Sequence, residues 1–126
     1  MTAIFADTFY WIALADFSDT FHDRALSLTA VYASRPLVTT DEVLIEYLNY
    51  FGEQPEAVRR HVAAGVRRMI DSPGIRILSQ SRDSFLAGLT LYEKRADKGY
   101  SLTDCISMQA MRREGLTDVL TNDRHF

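Results

Sequence analysis

The sequence is poor in cysteine, proline and lysine. Its single cysteine, Cys105, cannot form an internal disulfide, which fits a protein of the reducing cytoplasm. Three prolines and six glycines in 126 residues form no linker-like tract, and 47% of the residues are hydrophobic. We therefore expect one domain over residues 1–126, large enough to bury a substantial core.

Long apolar runs are also missing. The longest, Phe9–Ala15, is too short to cross a bilayer. No basic region precedes the first apolar run, Ile4–Ala6, as a signal peptide would require. The sequence therefore predicts a cytoplasmic protein with no membrane partner.

The formal charge of -3 gives no direct sign of a nucleic-acid partner, but twelve of the fourteen basic residues are arginine. Arginine is the side chain best suited to bidentate phosphate contacts. The pairs Arg59–Arg60 and Arg67–Arg68 lie eight residues apart, on one side of a predicted helix. A solvated helix face opposite Val58, Val62, Val66 and Met69 is the favoured explanation, so this pattern permits RNA binding without establishing it.

Strand-like and helix-like segments alternate along the chain, which predicts an α/β fold with right-handed crossovers and a largely parallel sheet. The predicted strands are Ile4–Asp7, Leu37–Thr39, Ile75–Leu78 and Asp118–Thr121. The predicted helices are Thr8–Asp16, Thr20–Ala33, Thr40–Phe51, Glu56–Asp71, Ser81–Asp97 and Thr103–Glu114.

Four acidic residues occupy positions where a carboxylate is costly without a partner: Asp7, Glu46, Asp104 and Asp123. Asp7 ends the first predicted strand, Asp123 follows the last one, and Glu46 lies within an apolar helical stretch. Strand ends gather at one edge of a parallel sheet, where open α/β folds hold their ligands. Carboxylates that converge there repel one another unless a cation joins them. Oxygen ligands suit Mg²⁺ or Mn²⁺, so the pattern predicts a divalent-metal site.

Local structural roles compete with this interpretation. Asp7 could cap the following helix, and Asp123 could stabilise a turn with Asn122. Glu46 has no such local role. Capping boxes, in which a side chain three residues into a helix bonds back to the cap residue, are predicted at three places. They pair Thr20 with Asp23, Thr39 with Glu42, and Ser101 with Asp104.

Four segments together resemble the PIN-domain ribonucleases, most closely the toxin half of VapC-type toxin–antitoxin pairs. They are Phe5–Thr8, Thr39–Glu46, Tyr100–Cys105 and Leu120–Phe126, in the family's order and at its usual spacing. The resemblance implies a three-layer PIN-like fold, with a mostly parallel sheet of four to five strands flanked by helices. It also implies an acidic pocket at the sheet's C-terminal edge, Mg²⁺ or Mn²⁺, and endonucleolytic cleavage of RNA by metal-activated water.

By motif match, Asp7, Glu46, Asp104 and Asp123 take the four acidic catalytic positions. Asp7 and Asp104, at junctions between regular elements, are assigned as direct metal ligands. Glu46 is expected to bind through water or to orient the attacking water, and Asp123 to support a second metal or the outer shell. Thr8 and Thr121 would supply neighbouring hydroxyls.

The resemblance implies partners as well: an RNA substrate, a cognate antitoxin protein and a second copy in a homodimer. Two aromatic-rich stretches, Phe9-Tyr10-Trp11 and Tyr47, Tyr50 and Phe51, could offer apolar surface to the antitoxin, although most of these residues, Phe9 and Phe51 in particular, are expected in the core. Relatives usually continue beyond the last motif, so a closing strand is expected to be missing here.

Two other functions remain open. A phosphoryl-transfer or receiver-type domain would also place an aspartate at a strand end. Its further signatures are missing, because Asp7-Thr8-Phe9 is not Asp-x-Asp and the only lysines, Lys94 and Lys98, lie near a helix end. A non-catalytic binding module could retain the same fold.

Overall fold

Four short strands and six helices alternate along residues 1–121, the part of the chain that the computed structural model describes. The strands are β1 (Ile4–Ala6), β2 (Leu37–Thr40), β3 (Ile75–Leu78) and β4 (Val119–Leu120). The helices are α1 (Thr8–Ala15), α2 (His22–Val31), α3 (Asp41–Tyr50), α4 (Glu56–Asp71), α5 (Arg82–Lys94) and α6 (Leu102–Glu114).

The strands form one sheet in the order β3-β2-β1-β4, and every pairing is parallel. Phe5 is the register partner of Val38 on one side and of Val119 on the other. A strand paired on both sides and covered by helices needs apolar residues throughout, and all of β1 is buried. The predicted α/β class is confirmed. All strands point the same way, so their carboxyl ends meet at one edge of the sheet.

Helix α4 confirms its predicted bounds. Val62 and Val66 are buried, whereas the four arginines of α4 are exposed. Arg60 forms an ion pair with Glu56 one turn earlier, and Arg59 donates to the Gly52 carbonyl at 2.9 Å. Pro55 stands at the cap position, where its missing N–H costs nothing.

Of the three predicted capping boxes, only that of α6 is present. Ser101 Oγ accepts from the Asp104 N–H at 3.0 Å, and the Ser101 N–H donates to Asp104 Oδ2 at 3.2 Å. The Thr20–Asp23 prediction is wrong, because α2 begins two residues later and Phe21 is its cap. A local turn forms there in place of the capping box: Asp19 Oδ1 accepts from the Phe21 N–H at 2.8 Å.

The Thr39–Glu42 prediction is wrong by one residue. β2 continues through Thr40, which becomes the cap of α3 and accepts from the Val43 N–H at 3.0 Å. Glu42 therefore has no reciprocal capping bond. Its Oε2 accepts instead from Ser84 Oγ at 3.1 Å, which joins α3 to α5.

Helices α5 and α6 pack closely as an antiparallel pair. Gly88 allows the approach, since an added Cβ would lie 2.4 Å from Ile106 Cγ1 and 3.2 Å from the Ile106 backbone nitrogen. Helix α5 ends at Lys94, three residues earlier than predicted. The connection then turns through Gly99, whose φ of +67° favours glycine.

Across residues 1–121, no helix combines the length and the apolar character that a membrane crossing requires.

Candidate active site

Asp7 is the most deeply buried carboxyl group at the carboxyl edge of the sheet. It follows β1 directly, is only 1% exposed, and its backbone N–H donates to the Leu120 carbonyl of β4. Although Asp7 precedes α1, its side chain makes no capping hydrogen bond. Instead, Thr121 Oγ1 donates to Asp7 Oδ2 at 2.8 Å, so the two adjacent strand ends hold this carboxyl group in place.

The electrostatic surroundings of Asp7 oppose its ionisation. Burial raises its pKa from the ordinary value of 3.8 to about 6. Hydrogen bonds from Thr121 and from the Thr8 backbone lower the pKa, whereas the nearby charges of Asp104 and Glu46 raise it further. A carboxyl group in this state gains from any cation that replaces its lost hydration.

Asp104 approaches from the first turn of α6. It is 8% exposed, and its capping bonds with Ser101 fix the side chain at the helix start. Asp104 thus forms the capping bond predicted for it. In that bond, one of its carboxylate oxygens accepts from the backbone N–H of Ser101. A carboxylate has about four lone-pair positions, so capping and ligand binding are compatible.

Glu46 lies on the second turn of α3 and is half-buried. Of the four predicted acids, Asp104 and Glu46 act on Asp7: the charge of each raises the pKa of its buried carboxyl group. Asp123, with its neighbours Arg124, His125 and Phe126, lies outside the described residues.

Two buried features lie beside Asp7: the Thr8 hydroxyl, which the family resemblance placed there, and a hydrogen-bond chain through Thr39, which sequence reasoning did not identify. Trp11 Nε1 donates to Thr39 Oγ1 at 3.4 Å, and Thr39 Oγ1 donates to the Ala6 carbonyl at 2.9 Å, joining α1, β2 and β1. Thr8 Oγ1 is buried and has no hydrogen-bond partner within residues 1–121. An unsatisfied buried hydroxyl is costly, and here it follows the Asp7 carboxyl directly in the chain.

The donor set of this edge suits a hard cation that keeps much of its water. Within residues 1–121, no three histidine, cysteine, aspartate or glutamate side chains lie close enough together to enclose a metal ion. Mg²⁺ does not require that, because it commonly binds through one or two carboxylates and retains several waters. Asp7 and Asp104 satisfy this requirement with oxygen donors alone.

Phe9 was expected in the core, and that expectation is wrong. Its side chain is 46% exposed, whereas the adjacent Tyr10 and Trp11 are buried. Phe51 is buried as expected, and Tyr50 is 55% exposed. The apolar-run pattern could not separate these residues, because α1 is hydrophobic all round and only its packing decides which side chain faces outward.

Comparison with known proteins agrees with this geometry. A family model described as the PIN domain matches residues 4–126. Among solved structures, VapC20 of Mycobacterium tuberculosis, described as a toxin that cleaves the sarcin–ricin loop, is similar with a TM-score of 0.80 and 25% sequence identity. The alignment covers 95% of this chain and 89% of that one. No curated protein matches the chain.

Proposed function

Because the chain belongs to the PIN domain family, we propose that it is a divalent-metal-dependent endoribonuclease that acts as the toxin of a toxin–antitoxin pair. One observation carries the catalytic part: Asp7 is a buried carboxyl group at the carboxyl edge of a parallel sheet, and the charges of Asp104 and Glu46 act on it. The RNA substrate class is supported by the similarity to a toxin whose name describes cleavage of the sarcin–ricin loop.

Asp7 and Asp104 are the proposed ligands of Mg²⁺ or Mn²⁺. When bound, such an ion supplies Lewis-acid chemistry and stabilises the negative charge that develops on the phosphate. The protein contributes rigidity: Thr121 fixes one oxygen of Asp7, and the capping bonds with Ser101 fix Asp104. Both carboxylates are held before substrate arrives, which lowers the entropic cost of assembling the site.

Glu46 takes a different role in this proposal. It is less buried than Asp7 and sits on a longer side chain, so its carboxylate can reach a water molecule beside the phosphate. It would accept a hydrogen bond from that water and orient the oxygen for attack on phosphorus as the P–O bond to the leaving nucleotide breaks. Asp123, outside the described residues, keeps its proposed role in a second metal site or the outer shell.

A cleavage assay with matched carboxyl variants tests this function. The purified protein, freed of any partner, should cut single-stranded or looped RNA in Mg²⁺ or Mn²⁺ and stop in excess chelator. Asp7→Asn and Asp104→Asn should abolish cleavage, and Glu46→Gln should lower the rate by about 100-fold or more. Glu42→Gln is the control one turn earlier on α3, where the carboxylate is bonded to Ser84, and it should keep most activity.

Two outcomes would reject the proposal. Cleavage that persists in chelator, or in both aspartate variants, would exclude the metal-nuclease mechanism. A well-folded wild-type protein that binds RNA without cutting it would favour the non-catalytic binding module.

The antitoxin, the homodimer and the cytoplasmic location are further parts of the proposal. Phe9 and Tyr50 supply exposed aromatic surface of the kind that an antitoxin segment would cover. Capture of the product of a short neighbouring gene by the purified protein, with loss of cleavage in the complex, would support that partner. The cytoplasmic location rests on the single cysteine, Cys105, which is buried.

A further inference from the structure

A cavity of about 470 Å³ opens where α5 meets α6, at the side of the proposed active site. Its volume falls within the range of small-ligand pockets, roughly 300–1,000 Å³. None of the acidic residues lines it, so it is separate from the carboxylate cluster. The lining residues are Leu89, Tyr92, Gly99, Tyr100, Ser101 and Leu102.

We infer that this cavity, hereafter the junction pocket, binds an unpaired nucleobase of the RNA substrate by stacking against Tyr92. The inference deepens the proposed ribonuclease function and rests on it for the identity of the ligand. It assigns a base-binding role to residues other than the four acidic ones, and one of them, Ser101, also caps Asp104.

The junction pocket lies next to a residue that contacts Asp104. Ser101 lines the junction pocket, and the same residue exchanges two backbone–side-chain hydrogen bonds with Asp104 at 3.0 and 3.2 Å. The pocket and the Asp104 carboxylate therefore flank a single residue at the start of α6. A nucleotide whose phosphate reaches the acidic cluster has its neighbouring base close to this pocket.

The residues that line the junction pocket suit a nucleobase. Tyr92 is 47% exposed on the last turns of α5, so part of its ring is open to a ligand. Leu89 and Leu102 add apolar surface. Single-stranded RNA is held by stacking its bases on aromatic side chains, and every base offers a π-face for this contact. A pocket with a tyrosine ring and aliphatic sides matches a base better than it matches a phosphate or a sugar.

The segment that borders the junction pocket carries several charged residues. Both lysines of the chain, Lys94 and Lys98, lie in the segment that borders the pocket, and both are exposed. Arg95 lies between them and pairs with Asp97 at 3.3 Å. With Glu93 and Asp97, the segment from Tyr92 to Gly99 holds three cations and two anions, a net charge of +1 in a protein of net charge -3, and Lys94 and Lys98 can meet the phosphates on either side of a bound base. A neutral apolar peptide would gain nothing from them.

A binding assay on intact protein tests the junction pocket. The background variant is Asp7→Asn in Mg²⁺, so that RNA is bound without being cut, and the probe is a fluorescently labelled single-stranded RNA followed by anisotropy. Tyr92→Leu should weaken binding by about 5- to 100-fold, the range that base–aromatic stacking supports. Tyr92→Phe retains the ring and should bind like the parent. Phe17→Leu is the matched control: Phe17 is an aromatic residue, 84% exposed, beyond the end of α1 that leads away from the site.

An RNA with abasic positions separates stacking from charge. On that probe, the loss caused by Tyr92→Leu should disappear. Equal losses on both probes, or no loss on the intact RNA, would overturn the inference. Weakened capture of a partner protein with unchanged RNA affinity would also overturn it, in favour of a protein ligand.

The assay distinguishes this inference from the nuclease proposal. If RNA binding depends on Tyr92 but the wild-type protein does not cut RNA, the junction pocket is supported and the nuclease proposal is rejected. Cleavage by wild-type protein, together with RNA binding that is indifferent to Tyr92→Leu, would reject the pocket and leave the nuclease in place.

Discussion

At the residue scale, the burial of Asp7 connects the candidate site to stability. A carboxyl group whose pKa is higher in the folded state than in the unfolded state binds more protons when folded. Its contribution to stability is therefore present at low pH and is lost as the pH rises through the folded pKa. For Asp7, this loss falls between its ordinary pKa of 3.8 and the folded value of about 6.

The pH dependence of unfolding tests this linkage. In chelator, wild-type protein should lose on the order of 2–3 kcal/mol more stability than Asp7→Asn between about pH 4 and pH 7, because only the wild type must ionise a buried carboxyl group. Chemical denaturation of both proteins across this range gives the difference directly, and contributions from carboxyl groups distant from Asp7 cancel. Parallel profiles for the two proteins would show that Asp7 ionises without cost.

At the element scale, the α5–α6 pair holds both the Asp104 cap and the junction pocket. Its geometry depends on Gly88, where a Cβ would meet Ile106 at 2.4 Å. The nearest atom to the added Cβ, Ile106 Cγ1, is only two bonds from the Ile106 backbone, and the Ile106 backbone nitrogen lies 3.2 Å from the same Cβ. The helices must separate to admit a methyl group, so a glycine in the middle of a helix is retained despite its lower helix propensity.

Alanine substitutions at two helical glycines should therefore have opposite effects. Gly88→Ala should destabilise the protein by about 1–3 kcal/mol through overpacking. Gly65→Ala in α4 is the matched control: its Cβ would meet only Arg68 Nη2 at 3.6 Å, so the gain in helix propensity, up to ~1 kcal/mol, should remain. Urea denaturation measures both. Equal effects of the two substitutions would mean that α5 and α6 are not tightly packed.

The elements also show what local sequence can and cannot specify. Helix α4 was predicted to the residue, because Pro55 and the Ser72-Pro73-Gly74 turn mark both of its ends. The capping boxes at α2 and α3 failed for a shared reason. Several Thr, Asp and Glu residues stand near each helix start, and the choice among them depends on where the preceding turn or strand ends. Thr40 became the cap of α3 because pairing with β3 extends β2 through it.

At the scale of the whole molecule, the parallel sheet and its acidic edge were predictable, and the details of assembly were not. Alternating elements imply that strand ends gather at one edge, and Asp7 lies at that edge because it directly follows β1. The family resemblance alone placed the Thr121 hydroxyl near the acidic positions, whereas its hydrogen bond to Asp7, 114 residues away in sequence, and the strand order are fixed by tertiary packing. Half of the lining of the junction pocket, Tyr100, Ser101 and Leu102, lies in the motif segment Tyr100–Cys105, but Leu89 and Tyr92 of α5 join it only when α5 folds back on α6.

Metal binding should act on the stability of the whole fold. A ligand that binds only the folded state stabilises it by mass action, by about 2.7 kcal/mol at 100 times its dissociation constant. Mn²⁺ should therefore raise the melting temperature of the wild type. Asp104→Asn should abolish this rise, while Glu42→Gln should retain it, because Glu42 is engaged with Ser84.

The rise in melting temperature caused by Mn²⁺ should be smaller at pH 5 than at pH 7.5, because protons compete for Asp7 below its pKa of about 6. Thermal melts with and without Mn²⁺ at both pH values test this. A wild type that is indifferent to millimolar Mn²⁺, or an equal rise in Asp104→Asn, would mean that no metal binds between these carboxylates.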